Sequence, residues 1–150
     1  MSVLSIATSG LSAASLRLNV TASNIANSLD AGPLPATGGS GTSASGAASP
    51  SNNSNFPAAY VPLQVNQVDQ TNGSTPGGTI ATVSAVSPSF VAQFDPSAPF
   101  ANQDGLVAAP NVDLASQFIQ LLTAKYDFAA NAKVIQADSD TTKSLLDITA

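Results

Sequence analysis

The chain has 150 residues, four cations against nine acids, a net charge of −5, and no Cys, His or Trp. Every acid is Asp, and without Cys or His no thiol nucleophile, disulfide, thiolate metal site or imidazole base can be built. So few cations on an acidic chain also argue against a phosphate-tracking surface, and nucleic acid is not an expected partner. Charged residues make up only 9% of the chain, against about a quarter in ordinary soluble domains. A surface with so little charge is expected to be covered by something.

The N-terminus lacks a basic segment followed by an apolar one, so no cleaved secretory signal is expected. No run of about 18 apolar residues occurs, so no membrane-spanning helix is expected either. Residues 2–29 read as the first helix. Ser2 is placed to cap it, and Leu4, Leu11, Leu18 and Ile25 fall seven apart, with Ala7, Ala14 and Thr21 between them. Gly10 and the many Ser and Thr residues lower its intrinsic helicity, so it needs a partner. Asp30-Ala31-Gly32-Pro33 ends it, with Gly32 suited to a left-handed cap.

Residues 34–55 are small, polar and repetitive, and carry too little apolar mass to offset the entropy of ordering. They are read as a flexible Gly/Ser-rich linker. A phosphate loop is not supported there, because no Lys follows the glycines and no strand precedes them. From Phe56 to Val86 the apolar period changes to two, as in Val61, Leu63 and Val65. Asn72-Gly73 and Gly77-Gly78 read as turns. A small antiparallel β ribbon is expected, with Pro62 confining its strand to an edge. Phe90-Val91 and Phe94 form an extended piece before the turns at Asp95-Pro96 and Asp104-Gly105, and Leu106-Val107 starts a short strand leading to Pro110.

The last element is the longest. Leu114, Leu121, Phe128 and Ile135 again fall seven apart, with Phe118, Ala132 and Leu146 on the same stripe, Asp113 at the N-cap position, and no Pro or Gly after Pro110. This predicts a helix from Val112 to Ile148, roughly 50 Å long. The fold class expected is mainly α with a small β part, the N- and C-terminal helices pairing as a coiled-coil hairpin. The organisation reads as an N-terminal helix over 1–30, a linker over 31–55, a β region over 56–109 and a C-terminal helix over 110–150.

Asn19, Asn24 and Asn27 place amides on the first helix, where propensity gives no reason for them. They either bond to neighbouring chain or form a polar face. Burying the large seam residues of one hairpin falls short of the cost of ordering two such helices. Val3, Ile6, Leu16 and Val20, with Ile119, Leu122, Val134 and Leu145, are left over for contacts between copies.

Ser9-Gly10-Leu11-Ser12-Ala13, Arg17-Leu18-Asn19-Val20 and Ala22-Ser23-Asn24-Ile25-Ala26-Asn27 resemble the N-terminal motif of flagellar axial proteins, the rod and hook subunits. Gly105-Leu106-Val107, Pro110-Asn111-Val112-Asp113, Phe128-Ala129-Ala130-Asn131, Lys143 and Leu146-Asp147-Ile148 resemble the family's C-terminal segment. The likeness covers both ends well and the middle loosely, and the length suits a proximal rod subunit. The resemblance implies a structural subunit of the basal-body rod that polymerises through its terminal helices into the drive shaft carrying torque to hook and filament. It would pass through the flagellar export apparatus without a cleaved signal and sit in the periplasmic rod. Its partners would be copies of itself and other rod proteins, with no small-molecule substrate, no cofactor and no metal.

The expected assembly interface comprises Leu4, Leu11, Leu18, Asn19, Asn24, Ile25 and Asn27 on the first helix. On the second it comprises Leu114, Phe118, Leu121, Phe128, Asn131, Ile135 and Leu146. The alternative is a stand-alone helical adaptor docking on a partner coiled coil. An enzyme is not expected, since Asp, Ser, Tyr and Lys form no recognisable acid-base or nucleophile pair here.

Overall fold

The computed structural model describes residues 2–35, 56–72 and 75–149. Residues 36–55, read as linker, and Gly73, read as a turn, lie outside the described residues. The elements run α1 (Val3–Ala26), β1 (Leu63–Asn72), β2 (Thr75–Ala85), β3 (Phe90–Phe94), β4 (Leu106–Pro110) and α2 (Leu114–Thr149). The chain is mainly helical with a small β part, as the apolar periods predict.

α1 starts where Ser2 Oγ accepts the amide of Leu4 at 3.2 Å, satisfying one orphan donor of the first turn. Its hydroxyls turn back on the helix: Thr8 donates to the Leu4 carbonyl at 2.7 Å and Ser12 to that of Thr8 at 3.0 Å. α1 ends at Ala26 rather than at residue 29. There Asn27 Nδ2 takes the Ser23 carbonyl at 2.9 Å, and the chain leaves through a turn in which Asp30 N reaches the Asn27 carbonyl at 3.1 Å. Gly32 is not the left-handed cap expected of it. Among the described residues the glycines with positive φ are Gly78 and Gly105. Gly32 instead forms an antiparallel bridge with Ala108, where a Cβ would collide with the backbone of Ala59. Its small size is required by close approach, not by its dihedral angles.

α2 begins directly after Asp113 and holds 36 residues, a length of about 54 Å. No helix among the described residues is long and apolar enough to cross a membrane.

The chain divides into two compact units. The first contains Met1–Ala22, Gln64–Ser84 and Ala115–Ala150, that is, most of both helices and of the β1–β2 ribbon. Within the ribbon, Asn66 Nδ2 reaches Ser84 Oγ at 2.8 Å and the Asn66 carbonyl accepts from Thr82 at 3.5 Å. Gly77-Gly78 is not a turn but lies inside β2. Gly78 has φ +96° where the strand passes α1, and a Cβ there would run into Ser9 Oγ, so both the dihedral angle and the close approach require glycine. The same hydroxyl accepts the amide of Thr79 at 3.1 Å, satisfying that backbone donor.

The second unit contains Ser23–Leu63 and Ala85–Leu114. Its centre is β4, paired antiparallel with β3 on one edge, Phe90 opposite Pro110 and Phe94 opposite Leu106. On the other edge Gly32 and Ala108 exchange both backbone hydrogen bonds at 2.9 Å. With partners on both edges, Val107 and Ala108 are 2% and 1% exposed. The loop between β3 and β4 is held by Asn102, whose Oδ1 accepts from the amides of Asp104 and Leu106 at 2.9 and 2.8 Å.

Candidate assembly interface

In the first unit the two helices meet through small residues. Ala7, Gly10, Ala14, Arg17 and Thr21 recur at a three-then-four spacing and so share one face of α1. Ala7, Ala14 and Thr21 are buried, and α2 contributes the fully buried Ala124. A Cβ added at Gly10 would lie 2.7 Å from Asn131 Oδ1, so the α2 amide rests directly on the α1 backbone. Asn131 Nδ2 donates to the Asp127 carbonyl one turn earlier at 2.8 Å, which orients the amide. One turn along, Arg17 Nη1 donates to Asp127 Oδ2 at 2.8 Å in an ion pair. Position 10 meets 131 and 17 meets 127, so the helices run antiparallel where they touch. A crevice of about 250 Å³ opens beside this contact, lined in part by Ile6, Gln67, Thr79, Asp127 and Asn131.

The large seam residues lie on the flank of that line. Leu4, Leu114, Phe118, Phe128 and Leu146 are exposed, Leu146 at 62%, while Leu11, Leu18, Leu121 and Ile135 are half-buried. The sevenfold spacing therefore locates the stripe, but its centre is the smaller set at Ala7, Ala14 and Thr21. Of the residues left over for other copies, Val3, Ile6, Ile119, Leu122, Val134 and Leu145 are exposed and Leu16 is half-buried. Val20 is buried at 8% and is a core residue of its own chain, not a free one.

The three amides separate. Asn24 is buried in the second unit and bonds to neighbouring chain. Its Oδ1 accepts from Tyr60 Oη and the Leu63 amide, both at 3.0 Å, and its Nδ2 donates to the Leu63 carbonyl at 2.7 Å. The side chain thus pairs with Leu63 on both sides, as a neighbouring strand would, and ties the end of α1 to the start of β1. Ser23 Oγ lies 3.1 Å from the same Tyr60 hydroxyl. Asn27 bonds locally to Ser23, Asn19 is exposed, and Ile25 is half-buried. Sequence reasoning missed Ser9, Gly10, Arg17, Asp127 and Ala124. The available signal was the run of small residues continuing Ala7 through Gly10 to Ala14, which permits close helix approach.

An assembly of paired terminal helices around an internal β region defines a class, and sequence comparison identifies it. Residues 4–28 match the model of the flagella basal body rod protein family, and residues 103–148 match that of the flagellar basal body rod FlgEFG protein C-terminal region. The chain is thus an axial-type flagellar protein. It is 31% identical to the flagellar basal-body rod protein FlgC of Salmonella typhimurium over 97% of this chain and 92% of that relative. The FlgC proteins of Yersinia enterocolitica and of Escherichia coli O157:H7 are 32% and 30% identical over the same shares. The chain belongs to the FlgC family of flagellar basal-body rod proteins. It is a structural protein, not an enzyme.

Proposed function

We propose that this chain is a proximal rod subunit that polymerises through α1 and α2, with itself and other rod proteins, into the shaft that transmits torque to hook and filament. It reaches the periplasmic rod through the flagellar export apparatus. One observation carries the reading: within a single copy the helix contact is centred on Ala, Gly and Thr, while Phe118, Ile119 and Leu122 are at least half exposed. A long helix with large apolar residues turned to water is stable in company and costly alone. The two helices pair as a coiled-coil-like hairpin, and Leu11, Leu18, Leu121 and Ile135 at its flank are completed by neighbouring copies.

Circular dichroism and sedimentation across a range of concentrations test the reading. Helix content that rises with particle size is expected, whereas a helical monomer at every concentration would replace it with a stand-alone adaptor. In cells, Leu121→Asp is expected to block rod assembly while export continues; lost export with normal assembly of the exported chains would contradict it.

A further inference from the structure

β4 has a partner on each edge, whereas β3 is paired on its inner edge alone. Among the described residues no strand lies beside the outer edge of β3, and Val91 to Phe94 are exposed. The ladder with β4 fixes which backbone groups face outward. Just beyond its ends, the Ser89 carbonyl accepts from Asn111 N at 3.0 Å and Asp95 N donates to the Gly105 carbonyl at 2.9 Å; midway, Ala108, opposite Ala92, gives both its backbone groups to Gly32. Antiparallel ladders alternate, so Val91 and Gln93 bond to β4, and the N–H and C=O of Phe90, Ala92 and Phe94 point to the open edge.

Such an edge is a template for extended backbone, and folded proteins blunt it with Lys, Pro or a bulge. β3 has none of these: Phe-Val-Ala-Gln-Phe carries no charge, no Pro and no Gly, and its register with β4 is unbroken. It is also nearly a palindrome about Ala92. Laid antiparallel on β3 of a second copy, Ala92 faces Ala92, Phe90 faces Phe94 and Val91 faces Gln93. The outward backbone groups then exchange hydrogen bonds in pairs, a Phe meets a Phe at each end of the strand, and no like charges are opposed. Any extended strand satisfies the backbone; aromatic ends about a small centre select this one. Phe94, 70% exposed in a single copy, gains a cross-strand partner.

We infer that two copies of this chain pair through β3, antiparallel about Ala92, and join their two small sheets into one continuous sheet. The contact is isologous and closes on itself, so it lengthens no shaft. It covers the open edge of chains outside the assembly that α1 and α2 build. Strands of five residues bury far less than a standard interface of about 1,600 Å², so the pair is weak and reversible.

The chain has no cysteine, so introduced thiols report proximity without background. Across the proposed pair Val91 and Gln93 face each other with Cα atoms about 4.5 Å apart. Two copies of Val91 are offset by two residues, which puts them beyond the about 7 Å that a disulfide spans. Full-length Val91→Cys and Gln93→Cys chains carrying different tags are mixed and oxidised; both side chains are exposed, so both variants are expected to fold as the parent does. A mixed disulfide at least fivefold above that of either variant with itself is expected. Independently, Ala92→Pro in both chains removes an N–H that β4 does not use, and is expected to lower the mixed yield at least fivefold while the Ala108 amide, bonded to Gly32, stays protected from hydrogen exchange. Equal mixed and self yields overturn the inference, as does a mixed yield that Ala92→Pro leaves unchanged. If the Pro variant loses protection at Ala108, the ratio of mixed to self disulfides decides alone. The rod reading rests on α1 and α2 and stands under either result.

Discussion

α1 and α2 solve the same problem in opposite ways. Among the described residues α1 buries Ala7, Ala13, Ala14, Val20, Thr21 and Asn24, whereas α2, half as long again, buries Ala124 alone. α1 is poor helix material, rich in Ser and Thr and interrupted by Gly10, and it is held by what packs on it. α2 has the better helix formers, with Ala, Leu, Gln and Lys at nearly half of its 36 residues, and leaves its large apolar residues exposed for neighbours. A weak helix is fixed by its surroundings; a strong one can be left bare for a neighbour to cover.

The sharpest way to break that contrast is at the buried end of α1. Asn24→Ala removes its hydrogen bonds to the Leu63 amide, the Leu63 carbonyl and the Tyr60 hydroxyl, and leaves both Leu63 groups to find new partners. A loss of about 3 kcal/mol is expected, read as a lower denaturation midpoint. Tyr60→Phe removes one of those partners and should cost about 1 kcal/mol. Equal midpoints for Asn24→Ala and the parent would mean that Asn24 is not what ties α1 to β1.

Second in size is the helix contact itself. Gly10→Leu places a branched side chain where Asn131 sits 2.7 Å from a Cβ, and overpacking of this kind costs about 2 kcal/mol. Gly10→Ala should be close to neutral. The better helix propensity of Ala, worth about 1 kcal/mol, offsets turning the Asn131 amide aside. Thermal unfolding followed by circular dichroism separates the two variants, and a Leu variant as stable as the Ala one would refute the close approach.

These positions also mark what was legible in advance. Helix identity, the capping Ser2, the strand at Leu106 and the class of protein follow from periods and motifs, because each is decided by residues close in sequence. The centre of the helix contact was displaced from the leucines to Ala7, Gly10 and Ala14. Apolar spacing reports which stripe is greasy, not how closely another backbone approaches, and approach is set by the smallest residues. Gly77-Gly78 was misread as a turn because the same dipeptide serves a strand that must pass over Ser9, a contact made 70 residues apart. The Gly32 bridge to Ala108 was hidden for the same reason. The role of Asn24 was visible only as an amide without a local purpose.

The smallest effect is expected at the ion pair, and it sharpens the comparison most. Arg17 and Asp127 are 30% and 48% exposed, so solvent screening holds their contribution to stability below about 1 kcal/mol. What the pair adds is register, since a slip of one turn would bring Arg17 opposite Thr123 or Asn131 and leave it without a carboxylate partner. A double-mutant cycle of Arg17→Met and Asp127→Asn should give a coupling of about 0.5 kcal/mol that fades with added salt. If α1 depends on its partners for position, the single Arg17→Met variant should also populate a shifted pairing. Cysteines at positions 10 and 131 should then cross-link less completely within the chain than in an otherwise unchanged Gly10→Cys, Asn131→Cys pair. An unchanged yield would place register in the small residues alone, with the charge pair a passenger on a fit already set by Gly10.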